Sequence, residues 1–243
     1  MHRAGLWPVV QDDDGCAALY SRRMSDPTRP KRGPGRPSTR HARRREEILK
    51  TAAGVFAERG FHGASMRDIA ARLGVRQAAI YYYFPSKTAI LEAICREGIT
   101  AFVERLGAIY AAAMPSEEKV KRAIRAHLEP LLEQRFYVHA FLYQRRELPK
   151  SIRRPLDAQA HAYEALWRAM IEEGQRSGAI AKDLDPQLAT LAILGMCNTV
   201  ARWSRPAAEF GLDRIAGEFA RLVAQGLFGR KGQNARMPRL AAR

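Results

Sequence analysis

Between Ile48 and Phe84 the apolar residues return every three or four positions, and the run is punctuated by Gly60, Gly74 and Pro85. That period belongs to helices with one buried face, and the punctuation keeps each helix short. Such a stretch can close into a small helical domain but cannot be laid out as a sheet. Ile48, Ala52, Val55, Phe56 and Arg59 predict an amphipathic helix that is regular from Arg43 and ends near Gly60. Ser65 with Asp68 three positions on is a helix-start signature, in which hydroxyl and carboxylate satisfy free amides of the first turn. Ile69, Ala70 and Leu73 then face inward, and Gly74 closes the short helix in a tight turn. A third helix is predicted over Arg76–Phe84, stopped by Pro85, and Ser86 caps a fourth that opens with Lys87.

Helix, glycine turn and helix make a helix-turn-helix, whose second helix enters the major groove of DNA. The residues of that second helix suit the task. Arg76 and Gln77 carry donors for base edges and phosphates, while Ala78 and Ala79 let the backbone approach and can touch thymine methyls. Tyr81 and Tyr82 can donate hydroxyl bonds to phosphates. Ile80 and Phe84 fall on the inward stripe, and Tyr83 is expected in the core with them. Ser65 is expected to act as a cap and as a phosphate contact. Arg67 is read equally well as a solvated side chain or as a DNA contact.

The segment ILKTAAGVFAERGFHGASMRDIAARLGVRQAAIYYYFPSKTAILEAI resembles the N-terminal domain of TetR/AcrR-type transcriptional regulators. The elements that agree are Ala52, Phe56 and Gly60; Ser65 with Asp68, Ile69 and Ala70; Gly74-Val75; and Tyr81 with Tyr83 to Lys87. The resemblance implies that residues 65–84 form the reading unit and that Lys87 meets a phosphate. Gln77-Ala78 stand where the family often has a Lys-Gly or similar pair, so the bases read cannot be carried over from a relative.

The rest of the chain shows no strand-like alternation, and the fold class is all-α throughout. Ser116 with Glu117 and Glu118 starts a helix whose stripe is Val120, Ile124, His127, Leu128, Leu131 and Leu132. Tyr163, Leu166, Trp167, Met170 and Ile171 form another stripe. Asp185-Pro186 opens a helix with an N-cap and a first-turn proline, and from Leu188 to Ala201 that helix is apolar or small on nearly every side. It is too short to span a bilayer, so it is expected to be covered by protein all round. A last helix over about Leu212–Leu227 repeats the theme. Surplus apolar surface on these two helices predicts a homodimer, matching two half-sites of a symmetric operator. The resemblance agrees, since such regulators commonly dimerise through their last two helices.

Phe102, Leu106, His127, Leu131, His139, Tyr143, Tyr163, Trp167 and Asn198 are candidates for an effector pocket, each equally readable as core. Arg145-Arg146-Glu147-Leu148-Pro149 and Trp203-Ser204-Arg205-Pro206 resemble the C-terminal domain of the TetR-type regulators that sense acyl-CoA esters. Ser204 departs from the Trp-Tyr-Arg-Pro often found there. That resemblance implies an acyl-CoA effector, with Arg145, Arg146, Arg153 and Arg154 available to its phosphates.

Charge separates the ends from the body. The 243 residues carry 41 Lys and Arg against 25 Asp and Glu, net +16. Residues 1–45 hold +7 and residues 229–243 hold +5, leaving +4 for residues 46–228. The chain is therefore expected to divide into a disordered basic leader (1–42), a DNA-binding domain (43–92), a helical ligand-binding and dimerisation domain (93–228) and a basic tail (229–243). Within the leader, residues 29–37 resemble an AT-hook. Its Gly35-Arg36-Pro37 core would place Arg36 in a narrow A·T-rich minor groove, though a basic, proline-rich leader of no fixed role reads as well. Met24 opens a leader sufficient by itself, and whether translation begins at Met1 or Met24 stays open. Three widely spaced cysteines (16, 95 and 197) form neither a disulfide framework nor a metal cluster, which fits a reducing cytoplasm. No apolar run is long enough to cross a membrane, and no metal, cofactor or nucleophile motif is present. The reading is a ligand-responsive DNA-binding regulator, a homodimeric repressor rather than an enzyme. The alternative is an architectural protein of A·T-rich DNA without an operator.

Overall fold

The computed structural model describes residues 39–203 and 206–227. Among them the regular elements are all helical: α1 (Thr39–Gly63), α2 (Met66–Leu73), α3 (Gln77–Tyr81), α4 (Lys87–Ala111), α5 (Ser116–Glu133), α6 (Arg135–His139), α7 (Lys150–Arg176), α8 (Pro186–Asn198) and α9 (Pro206–Leu227). A π turn (Ala140–Gln144) and a 3-10 turn (Arg145–Glu147) carry α6 toward α7, and a 3-10 turn (Thr199–Arg202) follows α8. The AT-hook-like segment with Arg36, residues Ser204 and Arg205, and the tail beyond Leu227 lie outside the described residues.

Helices α1 to α3 close on Ile48, Leu49, Ala52, Phe56, Ile69 and Ile80, each at most 1% exposed. Helix α1 begins at Thr39, four residues before the expected start at Arg43, because its first turns are held by charge rather than by an apolar stripe. Arg43 and Arg44 both pair with Glu47 there. The helix breaks where expected, at Gly60, whose φ of 71° and ψ of 164° leave the helical region. Helix α3 is shorter than predicted. Its regular part ends at Tyr81, and the amides of Tyr83 and Phe84 then both donate to the Ile80 carbonyl at 2.9 Å, folding the aromatics back onto the domain.

The turn between α2 and α3 rests on Gly74, left-handed at φ 65°, whose amide reaches the Ala71 carbonyl while Val75 reaches Ala70. A Cβ at Gly74 meets open space, so the cost of adding one is purely conformational. Gly74→Ala is expected to lower stability by about 1 kcal/mol, read as an earlier urea midpoint at unchanged m.

Helix α4 leaves the small domain and enters the body. Ile90, Leu91 and Ile94 are buried at its start and Leu106 further along, and its largest packing partner is α7. The body core is built on Trp167, Ile124, Leu128, Leu106 and Leu156, all at most 1% exposed. Two charges are buried and paired: Lys119 with Glu173 at 2.8 Å and Arg145 with Asp157 at 2.9 Å. Helix α9 breaks at Gly211 (φ 73°), so its continuous part starts at Leu212 as predicted.

Helix α8 is not covered all round by its own chain. Thr190, Ile193, Leu194 and Cys197 are buried, but Leu188 is 66% exposed and Ala192 is open as well. On α9, Phe210 and Leu222 are 43% and 55% exposed. The apolar excess of these helices points away from the described body. No helix among the described residues is long and apolar enough to cross a membrane.

Candidate nucleic-acid interface and ligand cavity

The reading surface is assembled from α2, α3 and the start of α4. Ser65 and Asp68 form a reciprocal cap: the Asp68 amide donates to Ser65 Oγ at 3.2 Å, and the Ser65 amide donates to Asp68 Oδ2 at 2.9 Å. Arg59 adds a bond to Asp68 Oδ1 at 2.7 Å. These bonds hold the Asp68 carboxyl below its ordinary range, with the Ser65 hydroxyl the main cause. The cap fixes α2, and the Gly74 turn aims α3. Ile80 is fully buried beneath α3, which leaves Arg76, Gln77, Ala78, Ala79, Tyr81 and Tyr82 exposed on its outer side. Gln77 and Tyr81 approach each other at 3.4 Å one turn apart. A shallow concavity unites the two helices, with Ser65, Arg67, Gln77, Tyr81 and Lys87 around it. Ser65 is thus both capped and exposed, and Arg67 is free to face solvent. Arg72, on the same helix, is taken by a bidentate pair with Glu58.

Two predicted roles depart from expectation. Lys87 borders the concavity, but its ammonium donates to the carbonyls of Phe61 (2.7 Å), Ala64 (2.9 Å) and His62 (3.2 Å) and lies over the Phe61 ring. Its three protons are spent satisfying the carbonyls freed where α1 ends, so in this arrangement it braces the domain rather than reaching outward. Tyr83 is only half-buried, its ring 4.7 Å from that of His41. Together with Tyr82, these rings bring the start of α1, with Arg40, Arg43 and Arg44, beside the end of the reading helix.

A second site lies in the body, a narrow cavity of about 40 Å³ walled by α4, α5, the α6–π segment, α7 and α8. By the measure on which one water needs about 10–15 Å³, that space holds only a few waters. Four predicted residues meet there: Phe102, His127, Tyr163 and Asn198. His127 Nδ1 is 2.7 Å from the Tyr163 hydroxyl and Nε2 is 3.1 Å from Asn198 Oδ1, so Tyr163 donates to the ring and the ring donates to Asn198. Burial pushes the His127 pKa down to about 4 and raises that of Tyr163, so both stay neutral near pH 7. Phe102 stands edge-on to both rings at 5.4 and 5.7 Å.

The other predicted pocket residues do not join them. Leu131 and Trp167 are buried in the core, and His139, Tyr143 and Arg146 lie off the cavity. His139 packs against Tyr143 at 4.9 Å instead. Of the arginines considered for CoA phosphates, Arg145 is buried against Asp157, and Arg153 pairs with Asp157 and donates to the Arg146 carbonyl. Arg105, which pairs with Glu129 at 3.1 Å, and Gln134, Tyr137, Phe141 and Leu142 line the cavity without having been singled out. Tyr137, Phe141 and Leu142 escaped because a helix running into a π turn has no regular stripe. The same segment holds the small domain: Gln144 Nε2 donates to the Phe56 carbonyl at 2.6 Å, and His62 contacts Glu147 at 2.6 Å.

Comparison with known proteins finds two family models along the chain. Residues 48–94 match "Bacterial regulatory proteins, tetR family", and residues 113–227 match "Tetracyclin repressor-like, C-terminal domain". The HTH-type transcriptional repressor KstR2 of Rhodococcus jostii is 25% identical over 185 residues, covering 76% of this chain and 91% of the relative. A crystal structure of a TetR/AcrR family regulator from Thermobifida fusca is 30% identical, covers 76% of this chain and 98% of its own, and superposes with a TM-score of 0.59. AibR in complex with isovaleryl coenzyme A and operator DNA shares the fold, at 23% identity, a TM-score of 0.65, and coverage of 76% of this chain and 98% of its own.

Proposed function

Because this chain belongs to the TetR family of bacterial regulatory proteins, we propose that it is a homodimeric transcriptional repressor, released from a palindromic operator by an acyl-CoA effector. The observation that carries the reading is the exposed outer side of α3, where Arg76, Gln77, Ala78 and Ala79 stand clear above a fully buried Ile80. A short helix fixed on its buried side and armed with exposed donors is built to enter a major groove. Arg76 and Gln77 read bases; Ala78 and Ala79 give the close approach; Ser65, Arg67, Tyr81 and Tyr82 hold the flanking phosphates. Arg36 and the basic ends add sequence-independent attraction, with Arg36 directed to an adjacent minor groove. The protein works in the cytoplasm, as a regulator and not as a catalyst.

Fluorescence anisotropy on DNA from the gene's own upstream region, against scrambled DNA of equal composition across a salt series, tests this. The upstream DNA is expected to bind about a thousandfold more tightly at physiological salt. Equal affinities collapsing together with salt would hand the protein to the architectural alternative.

The exposed apolar residues of α8 and α9 support the dimer. Leu188→Glu with Leu222→Glu is expected to yield a folded monomer by analytical ultracentrifugation, because both side chains are more than half exposed in the single chain. Operator binding would weaken with it, since half-sites are read in pairs.

Release follows from differential affinity for two conformations. Helix α4 starts in the reading domain and lines the cavity with Gly98, Phe102 and Arg105. Phe141 and Leu142 line it from a segment whose next residues grip α1 through Gln144 and Glu147. A cavity of about 40 Å³ cannot admit an acyl group without moving one of these walls. Either wall carries the displacement to the reading heads.

A further inference from the structure

The cavity wall is mostly apolar; apart from Arg105, Gln134 and Tyr137, its polar groups gather where α5, α7 and α8 meet, and there His127, Tyr163 and Asn198 form one hydrogen-bonded chain. Its direction is set at one end, by Asn198 Oδ1, which can only accept. The Tyr163 hydroxyl gives its proton to His127 Nδ1, and His127 gives its own to Asn198 Oδ1. That leaves the two N–H groups of the Asn198 carboxamide, which make no hydrogen bond among the described residues, on a half-buried side chain that borders the cavity. The chain contains no charge, since His127 is buried and neutral. The charged group bordering the cavity, Arg105, is half-exposed and already paired with Glu129. An effector group seated against the chain therefore meets donors, neutral surroundings and aromatic faces.

We infer that the apolar part of the effector carries a neutral oxygen, a ketone or a hydroxyl, that accepts from the Asn198 carboxamide. A purely hydrocarbon group seated there would strip water from the carboxamide and return nothing, a loss that sites built to hydrogen-bond turn into discrimination. A carboxylate seated against the chain would meet only neutral groups there, with Arg105 already held by Glu129, so an acid at that end is disfavoured too. This inference rests on the reading of the cavity as the effector site and adds the chemistry of the group bound there.

The test uses the full chain and two sets of matched probes in titration calorimetry. One set is CoA esters sharing a carbon skeleton, cyclohexanecarbonyl-CoA against its 4-oxo and 4-hydroxy counterparts. The other is free of CoA, cyclohexanone and cyclohexanol against methylcyclohexane. The oxygenated members are expected to bind about five- to hundredfold more tightly. The preference should vanish in Asn198→Leu, with circular dichroism melts reporting that the variant is folded, and persist in Tyr143→Phe, whose ring lies off the cavity. Discrimination among the free compounds with silence from every CoA ester would leave this inference standing and remove the acyl-CoA identity. Equal binding within each pair, no binding by any probe, or a preference unchanged in Asn198→Leu would overturn it.

Discussion

Replacing Arg76 and Gln77 together by alanine is expected to lower affinity for the operator at least about thirtyfold, while affinity for scrambled DNA stays within about threefold. Each side chain is exposed on the outer side of α3 and each offers donors matched to base edges, a contact worth about 1–3 kcal/mol of discrimination. The two sit on adjacent positions, so their losses need not add. Neither side chain supports the fold: Arg76 occupies the N-cap position without a side-chain bond, and Gln77 makes a long bond to the exposed Tyr81 hydroxyl at 3.4 Å. Stability should therefore stay within about 0.5 kcal/mol of the parent. Anisotropy on both DNAs at fixed salt measures the ratio. A parallel loss on both would mean that α3 contributes charge alone.

Stability is expected to fall by about 3 kcal/mol as pH drops from 6.5 to 4, through His127. Its pKa is about 4 in the folded chain against an ordinary 6.5, with burial the main cause and the bond to Asn198 working the other way. Between those values the unfolded chain takes up a proton that the folded chain refuses, so stability rises with pH and is fully present only above about 6.5. Urea titrations at pH 7 and pH 5 read the slope. His127→Gln keeps a neutral side chain and removes the titration; its stability should be flatter over the same window. His139, also pushed down by burial, acts in the same sense and stays in the variant as background. An equal slope in the variant would assign the acid sensitivity to groups other than His127.

Much of the reading domain was legible before any coordinates. The Ser65–Asp68 cap, the Gly74 turn and the inward place of Ile80 follow from neighbours within four residues, where backbone stereochemistry and helical period act alone. The exposed donors of α3 follow too, because a buried Ile80 turns the other sides outward. The role of Lys87 did not follow. Its carbonyl partners lie 23 to 26 residues back, and their approach depends on how α1 ends against α4.

The cavity divides the same way. Phe102, His127, Tyr163 and Asn198 were visible as aromatic or polar residues on apolar helices, but so were Leu131, Trp167, His139 and Tyr143, which the packing sends elsewhere. Periodicity reports which side of a helix faces inward; it does not report whether the inward side meets filled core or open space. Phe141 and Leu142 sit on a π turn, whose altered period erased even that signal.

The sequence by itself determined the helices, their caps and turns, and the outward display of the reading residues, because each is a matter of short-range sterics and period. Only the tertiary structure decided that His127 joins Tyr163 and Asn198, 36 and 71 residues away, beside a small cavity. It also decided that one segment both walls that cavity and grips α1. Those contacts join α1, α5, α7 and α8 through residues tens of positions apart, and their meeting is set by how the whole core packs, which no local pattern records.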